Sequence, residues 1–251
     1  MDQVEIIAHR GESHDAPENT LAAFWLAWGQ EADAIELDVH VTKDGHLIVC
    51  HDPDTRRTTG VPGAIRESTL EALRALDAGS WKGAAWAGER LPTLDEVLET
   101  VPEDSRCFIE VKCGPEAAPA LVRSIGSSVR RTEQIAVISF REDTLAEAKR
   151  RLPEIPAYFL ASVRRDSDTG RLLPDVDALI ETARQVGASG LDLSFHALDD
   201  PMIAERIRSV GLELYVWTID DLETAQRAAA IGVNGITSNR PSWLRAQLMS
   251  A

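Results

Sequence analysis

The chain is poor in cysteine and has no long apolar run. Its three cysteines are Cys50, Cys107 and Cys113. Three cysteines without a CxxC pair do not indicate a disulfide framework or a cysteine zinc site, and they fit a reducing compartment. No segment approaches the roughly 18 apolar residues of a membrane span, and the N-terminal residues lack the basic and apolar regions of a signal peptide. We therefore expect a cytoplasmic protein without stable membrane association.

Positive charge is also scarce. The chain has 26 Lys and Arg against 41 Asp and Glu, so its formal net charge is -15. Nucleic-acid-binding surfaces need clustered Lys and Arg, and anionic membranes attract basic segments. The composition therefore argues against both partners. An anionic small molecule would bind only where a metal ion or a few placed cations supply local positive charge.

Apolar residues are plentiful, at 44% of the chain, and their spacing predicts an alternating α/β structure. Short apolar runs predict buried strands, and apolar residues at three- and four-residue spacing predict amphipathic helices between them. The predicted strands are Val4–Ala8, Ala34–Val41, Cys107–Val111, Ile135–Ser139, Ala157–Leu160, Gly190–Leu193, Glu213–Trp217 and Gly235–Thr237. The predicted helices are Thr20–Trp28, Thr93–Thr100, Ala117–Val129, Thr144–Arg151, Asp177–Val186, Pro201–Val210, Asp221–Ala230 and Ser242–Leu248.

Eight strands alternating with helices predict a (β/α)8 TIM barrel formed as a single domain by residues 1–251. The competing fold is an open doubly wound sheet, but no glycine-rich phosphate loop follows the first strand. The turn Lys43-Asp44-Gly45 predicts a hairpin after the second barrel strand, because Asp-Gly favours hairpin turns. Residues 53–91 then interrupt the alternation, which predicts a small insertion after the second strand.

Polar side chains gather at the ends of the predicted strands, where the active sites of such barrels lie. They are His9 and Arg10 on the first strand, Glu36 and Asp38 on the second, His51 after the hairpin, and Glu110 and Lys112 on the third. Residues two apart share one face of a strand, so each of these pairs on the second and third strands points into the lumen. Three carboxylates there would be costly unless compensated, and a hard divalent cation such as Mg²⁺ or Ca²⁺ would offset the cost. Alone, each motif is more typical of a solvated edge, a turn or a surface ion pair; together they indicate a site.

The motifs around these residues resemble those of the glycerophosphodiester phosphodiesterase family. The stretches HRGESHDAPENTLAAF and ELDVHVTKDGHLIVCHDP carry the most specific resemblance. Later pieces that also fit are LPTLDEVL, IEVK, the Ser139-Phe140 pair, VWTID and GITSNRP. The resemblance therefore extends over almost the whole chain.

The resemblance implies an enzyme that hydrolyses glycerophosphodiesters, such as glycerophosphocholine or glycerophosphoethanolamine, to sn-glycerol 3-phosphate and an alcohol. By motif, it implies these roles: Glu36, Asp38 and Glu110 as ligands of a divalent metal (Mg²⁺ or Ca²⁺), His9 and His51 as general acid and base, Arg10 and Lys112 as phosphate-binding residues, and Phe140 and Trp217 as walls of the glycerol pocket. Which histidine is the acid stays open, as does the choice between attack by water and attack by a substrate hydroxyl. Two other functions remain alternatives, a lysophospholipase D for single-chain lipids and an inactive barrel that binds phosphorylated ligands.

Two positions depart from the family pattern. The seventh-strand motif reads WTID, ending in Asp220, where WTVN is commoner, and Asn239 stands where an aspartate is frequent. Neither position is a metal or proton-transfer candidate. We expect both to influence the preference for the alcohol and polar headgroup and not the reaction class. Near the first strand, Thr20 is expected to cap a helix, Asn19 to touch the site and Glu18 to support it.

Overall fold

The computed structural model describes residues 4–250, so residues 1–3 and 251 of the predicted domain lie outside the described residues. Eight parallel strands form a closed barrel, because the first strand pairs with both the last and the second. The barrel strands, in chain order, are β1 (Glu5–His9), β2 (Ala34–Val41), β4 (Arg106–Val111), β5 (Ile135–Ser139), β6 (Ala157–Ala161), β9 (Gly190–Ser194), β10 (Glu213–Trp217) and β11 (Gly235–Ser238). The predicted (β/α)8 barrel is confirmed, with strand bounds that differ by at most one residue.

Eight helices lie between or after the barrel strands and cover them on the outside. They are α1 (Leu21–Gly29), α4 (Leu94–Thr100), α5 (Ala118–Ser127), α6 (Glu142–Arg151), α7 (Val176–Gln185), α8 (Ile203–Ser209), α9 (Leu222–Ile231) and α10 (Pro241–Met249). Thr20 caps α1 as expected, since its side chain accepts a hydrogen bond from the Ala23 N–H. Thr93 caps α4 in a capping box with Glu96, which explains why this helix begins where the sequence predicts.

Side chains of the barrel strands separate into two apolar layers. Leu37 and Ile109 face outward into the large core beneath the helices. Ile7, Phe108 and Tyr158 belong to a second cluster that fills the lumen. Because neighbours on a strand alternate between these layers, Glu36, Asp38 and Glu110 face the lumen, as the two-residue spacing predicts.

A polar network closes the end of the lumen where the strands begin. Arg106 donates hydrogen bonds to Glu5 Oε2 and to the Tyr215 hydroxyl, both at 2.9 Å. The Tyr158 hydroxyl donates to Glu213 Oε2 at 2.6 Å, and Tyr158 and Tyr215 meet edge to face. These side chains fill the lower lumen, so the barrel opens only toward the carboxyl ends of its strands in the described part of the chain.

The predicted hairpin is present. β3 (Leu47–Val49) pairs antiparallel with β2, and Gly45 occupies the turn with φ +81°. Residues 53–91 then form irregular structure with two short helices that the sequence did not predict, α2 (Arg56–Thr59) and α3 (Leu70–Arg74). Ile65, Leu73 and Leu91 pack there in a small apolar cluster separate from the main core. This segment lies beside the open end of the barrel.

A second feature absent from the prediction is a two-stranded hairpin after β6. It pairs β7 (Arg164–Arg165) with β8 (Leu172–Leu173). Its strands are only two residues long, one of two arginines and the other of two leucines, so they carry no alternating pattern that a sequence could reveal. Among residues 4–250, no helix combines the length and the apolar character that crossing a membrane requires.

Candidate active site

A pocket of about 320 Å³ opens at the carboxyl ends of the barrel strands. It gathers eight of the nine side chains singled out in the sequence, and the ninth, Asp38, contacts two of them. The lining residues are His9, Arg10, Glu36, His51, Glu110, Lys112, Ile138, Phe140, Leu160, Asp192, Trp217, Thr218 and Thr237.

Strand register brings the three acidic residues together. His9 is opposite Glu36 in the β1–β2 pair, and Asp38 is opposite Glu110 in the β2–β4 pair. Ligand-type oxygens of Glu36, Asp38 and Glu110 all lie within 4.8 Å of one another, a spacing that a single metal ion could span. All three residues are buried, so their mutual repulsion is poorly screened by water.

The electrostatics of this acidic cluster reflect that crowding. Burial, followed by repulsion from Asp38 and Glu110, raises the pKa of Glu36 well above its usual range. Burial and Asp38 raise the pKa of Glu110 to about 7. Burial would also raise the pKa of Asp38, but the charges of Arg10 and Lys112 outweigh it and hold that pKa below its usual value. The chain thus stabilises one of the three carboxylates itself and leaves the other two in need of a cation.

Asp38 supplies a direct test of whether the cluster fits a metal. Its Oδ2 contacts Arg10 Nε at 3.1 Å and accepts a hydrogen bond from Asn19 Nδ2 at 2.8 Å. Its buried Oδ1 makes no hydrogen bond within residues 4–250 and lies 3.4 Å from Lys112 Nζ. A buried, unsatisfied carboxylate oxygen between two other carboxylates is the donor set that a hard divalent cation prefers.

Two cations flank the acidic cluster. Lys112 Nζ lies 2.8 Å from Glu110 Oε1, and the carboxylates around it raise its pKa despite burial. The Arg10 side chain contacts Asp38 and, at 2.9 Å, Glu18 Oε1. The pocket therefore contains fixed positive charge although the whole chain is strongly acidic.

The loop after β1 is shaped for this arrangement. Arg10 adopts φ 56° and Gly11 φ +81°, and a Cβ on Gly11 would lie 2.7 Å from the Ala23 backbone. Only glycine allows so close an approach to α1. The resulting turn directs the Arg10 N–H at Glu36 Oε2, at 3.1 Å. Asn19, also at positive φ, touches the site through Asp38 as expected.

His9 is held from behind by the last strand of the barrel. Its Nδ1 lies 2.7 Å from Asn239 Oδ1, and Asn239 Nδ2 donates to Asp220 Oδ2 at 2.6 Å. The amide oxygen of Asn239 can only accept, so His9 Nδ1 carries the proton and Nε2 offers its lone pair to the pocket, 4.0 Å from Glu36. Burial, with the Arg10 charge adding, lowers the pKa of His9 to about 4.

This contact adds to what the sequence predicts. Asn239 and Asp220 were expected to influence the preference for the alcohol and polar headgroup, which stays a prediction. Asn239 also hydrogen-bonds a proton-transfer candidate directly, and Asp220 fixes Asn239 through both its side chain and its backbone N–H. The two departures from the family pattern are thus in contact with each other and lie behind His9.

His51 is held differently. Its Nδ1 lies 2.7 Å from Asp52 Oδ1, and Asp52 Oδ2 accepts from Arg57 Nε at 2.7 Å. Burial raises the pKa of Asp52, but hydrogen bonds from Arg57 and His51 outweigh this effect and lower the pKa to about 2. The carboxyl is therefore ionised. Arg57 also binds both oxygens of Glu18, which in turn holds Arg10. Residues of the 53–91 segment are thereby connected to the pocket.

Aromatic side chains form one wall. Phe140 and Trp217 meet edge to face with ring centroids 5.7 Å apart, and Lys112 Nζ lies 6.0 Å from the centroid of Phe140. Trp217 Nε1 donates to the Asp192 carbonyl at 3.1 Å. The two residues expected to shape the pocket do line it.

Sequence reasoning missed several residues of the site. Asp192 lines the pocket but sits in the apolar run GLDLS, where nothing marks it as functional. Arg57 lies in the irregular segment 53–91 and pairs with residues far away in the chain. The pairing of Asn239 with His9 joins residues 230 positions apart, and only closure of the barrel brings them together.

Fold and site together define a (β/α)8-barrel protein whose acidic, histidine-containing pocket lies at the carboxyl ends of its strands. The model of the glycerophosphoryl diester phosphodiesterase family matches residues 9–242. The chain belongs to this family.

Individual relatives agree with this membership. A glycerophosphodiester phosphodiesterase of Caldanaerobacter subterraneus subsp. tengcongensis is 42% identical over 60% of this chain and 63% of its own length. Two Bacillus subtilis relatives are matched over 45% and 61% of their lengths, so the chain spans less than two thirds of each of these three proteins. A probable glycerophosphodiester phosphodiesterase 1 of Mycobacterium tuberculosis is 31% identical over 80% of this chain and 76% of its own.

A solved structure is similar along nearly the whole chain. It is a phosphodiesterase of Oleispira antarctica in complex with the product sn-glycerol-3-phosphate. It superimposes with a TM-score of 0.87 at 30% identity and covers 98% of this chain and 96% of that one.

Proposed function

We propose that this chain hydrolyses glycerophosphodiesters, such as glycerophosphocholine or glycerophosphoethanolamine, to sn-glycerol 3-phosphate and an alcohol in a metal-dependent reaction. The observation that carries the proposal is the pocket that unites an acidic cluster, two cations and two histidines. The similar Oleispira antarctica phosphodiesterase, whose product is sn-glycerol-3-phosphate, supports the same product here.

In this proposal Glu36, Asp38 and Glu110 hold a divalent cation, Mg²⁺ or Ca²⁺. Their buried oxygens and the raised pKa values of Glu36 and Glu110 support the assignment. The cation would supply charge stabilisation to the non-bridging phosphate oxygens. Arg10 and Lys112, on either side of the cluster, would bind the same phosphate, and Arg can do so with two parallel hydrogen bonds.

The two histidines divide the proton transfers. His51 lines the pocket with its Nδ1 beside the ionised Asp52, so its Nε2 suits the acid that protonates the leaving alkoxide. His9 faces the neutral amide of Asn239 and presents an unprotonated Nε2, so it suits the base that takes the proton of the nucleophile. The nucleophile is water, or a neighbouring hydroxyl of the substrate in a path that passes through a cyclic phosphate.

The pocket favours small polar diesters, with the aromatic wall of Phe140 and Trp217 against the glycerol part. One observation favours a second substrate class, the single-chain lysophospholipids. Exposed apolar side chains occur in the segments that follow β5, β6 and β9, namely Phe140, Leu173, Phe195 and Met202. Such side chains near the pocket opening would suit an acyl chain, which makes lysophospholipase D activity the alternative.

The test is release of glycerol 3-phosphate from glycerophosphocholine and glycerophosphoethanolamine, with lysophosphatidylcholine measured in parallel. We expect turnover of the two water-soluble diesters, loss of turnover in EDTA, and recovery when Mg²⁺, Mn²⁺ or Ca²⁺ is restored. Turnover that is indifferent to chelation would contradict the metal mechanism. Absence of turnover for every diester and metal would instead favour an inactive phosphate-binding barrel.

A cytoplasmic location stays a prediction from composition.

A further inference from the structure

Asp192 is a buried carboxyl in the pocket to which the proposed reaction gives no role. It lies on β9 in the middle of the lumen and is 3% exposed. It lines the same pocket as His9, Glu36 and Lys112. Its Oδ1 has no hydrogen-bond partner anywhere in residues 4–250. Buried polar groups are nearly always paired in folded proteins, so an unpaired one in a pocket points to a ligand.

The surroundings of Asp192 make a structural role a poor explanation. Strand pairing places Leu160 on one side of it and Tyr215 on the other, and Ile138 also lines this part of the pocket. The only hydrogen bond given to Asp192 from the pocket wall reaches its backbone carbonyl, from Trp217 Nε1. The fold would therefore tolerate an apolar side chain here, and the carboxyl is free to serve a bound molecule.

The hydrogen-bonding capacity of Asp192 limits what that molecule can be. The buried Oδ1 lacks a partner within residues 4–250, and a carboxyl oxygen accepts a hydrogen bond that a ligand hydroxyl can donate. A quaternary ammonium group offers no donor, and it would also meet the positive charge of Lys112 near Phe140.

We infer that Asp192 binds a hydroxyl of the glycerol arm and that the floor of the pocket is a polyol subsite. The inference rests on the proposed function for the position of the phosphate, which lies between Arg10 and Lys112 in that proposal. Asp192 is the carboxyl at the floor, flanked by the apolar Ile138 and Leu160, and the hydroxyl of the buried Thr237 also lines the pocket. A short, hydroxyl-bearing arm fits a floor of this kind, whereas a bulky headgroup remains toward the opening.

Binding measurements test the inference without depending on catalysis. Calorimetric titration would compare sn-glycerol 3-phosphate with propyl phosphate, which has the same length and no hydroxyls, in the presence of Mg²⁺. We expect the unmodified protein to prefer glycerol 3-phosphate by at least about 10-fold, because a site built for a hydroxyl rejects an analogue that lacks it. The Asp192→Leu variant should bind the two ligands with equal affinity.

Two further variants keep the result interpretable. Asp192→Asn retains a donor and an acceptor, so it should retain most of the preference for glycerol 3-phosphate. It also provides a measurement if Asp192→Leu does not fold. Asp104→Asn changes an exposed carboxyl that precedes the first residue of β4, at the opposite end of that strand from Glu110, and should behave as the unmodified protein. A preference for glycerol 3-phosphate that survives Asp192→Leu would overturn the inference.

Kinetics separate this inference from the proposed function. If the protein turns over diesters, Asp192→Leu should lower kcat/KM for glycerophosphocholine by about 100-fold and leave propyl phosphocholine nearly unchanged. If the protein turns over no diester but still shows the Asp192-dependent binding preference, the proposed hydrolysis fails and the polyol subsite stands. Equal loss for both substrates would show that Asp192 supports the pocket only structurally, which contradicts the inference.

Discussion

His9 Nδ1 lies 2.7 Å from Asn239 Oδ1, so a side-chain contact at the site joins the last residue of β1 to the residue that follows β11. Asn239 is in turn held by Asp220 at 2.6 Å. A neutral amide thus orients His9 through Nδ1, and the Asp220 carboxylate lies one residue further behind it. This order fixes the ring and its tautomer without placing a negative charge against Nδ1.

Replacement of Asn239 should therefore reduce activity through the orientation of His9. We expect Asn239→Ala to lower kcat/KM for glycerophosphocholine on the order of 10- to 100-fold, as for other residues that orient a reacting group indirectly. Asn239→Asp restores an acceptor for His9 Nδ1 and should be less harmful. Steady-state kinetics would check this, and a large change in KM with unchanged kcat would contradict an orienting role.

His51→Ala should remove the proposed general acid. Loss of a positioned proton donor typically costs about 10²- to 10⁴-fold, so kcat should fall by that amount while the fold persists. His46→Ala, an exposed change on the β2–β3 hairpin, is the matched control and should remain near the unmodified rate. A substrate whose leaving group needs no protonation, such as a p-nitrophenyl diester, should be affected much less by His51→Ala.

The acidic cluster predicts opposite effects on stability and on activity. Glu36→Gln should raise the thermal midpoint of the chelated protein at neutral pH by a few degrees. The pKa of Glu36 is higher in the folded than in the unfolded state. Its carboxyl therefore destabilises the fold once the pH exceeds the pKa of the unfolded state. The same variant should lose activity and lose the rise in midpoint that added metal gives the unmodified protein. Scanning calorimetry with EDTA and with Mg²⁺ would test both points; a midpoint that ignores metal in the unmodified protein would contradict the cluster's proposed role.

Arg106→Met should destabilise the barrel without altering the chemistry. It leaves the partly buried Glu5 without its charged partner at the closed end of the lumen, which should cost about 2 kcal/mol of unfolding free energy. Denaturant titration would measure the loss, and the double variant with Glu5→Gln should recover part of it. The folded fraction should keep the kcat/KM of the unmodified protein. A loss of kcat in the folded protein would contradict the view that the closed end of the lumen acts independently of the pocket.

Glu12 gives a pH-dependent prediction outside the acidic cluster. It is 2% exposed, its Oε2 has no hydrogen-bond partner among residues 4–250, and burial followed by repulsion from Asp15 raises its pKa to about 7. The pKa of Glu12 is higher in the folded than in the unfolded state. Its ionisation therefore lowers the free energy of unfolding as pH rises from about 4.5 to about 7, and it has no such effect at lower pH. Glu12→Gln should therefore be more stable than the unmodified protein at pH 8, by a few degrees in midpoint, and equal to it near pH 4. A difference that is independent of pH would show that Glu12 does not titrate in this range.

The sequence predicted the barrel well because its strands are buried on both sides. Runs such as Ile135–Ser139 are continuous apolar segments, and their bounds match the structure. Capping residues such as Thr93 mark helix starts equally clearly. The paired carboxylates were also predictable, since a two-residue spacing fixes their common face.

The residues behind the site could not be predicted in the same way. Asp192 faces the lumen in a strand whose other residues are apolar, and strand periodicity does not distinguish a functional carboxyl from a paired one. Asn239 depends on contact between strands at opposite ends of the chain, and Arg57 on the course of an irregular segment. These contacts arise from closure of the barrel, which local patterns do not encode.

The polar network around Arg106 has a kinetic consequence as well as a structural one. Because it closes the lower lumen, molecules enter and leave the pocket through one opening. The part of a ligand that reaches the floor is then the last to depart. Under the proposed hydrolysis, an alcohol formed near the opening would leave before the phosphate ester behind it. Product release would then be ordered, and the ester that remains would compete directly with the next substrate.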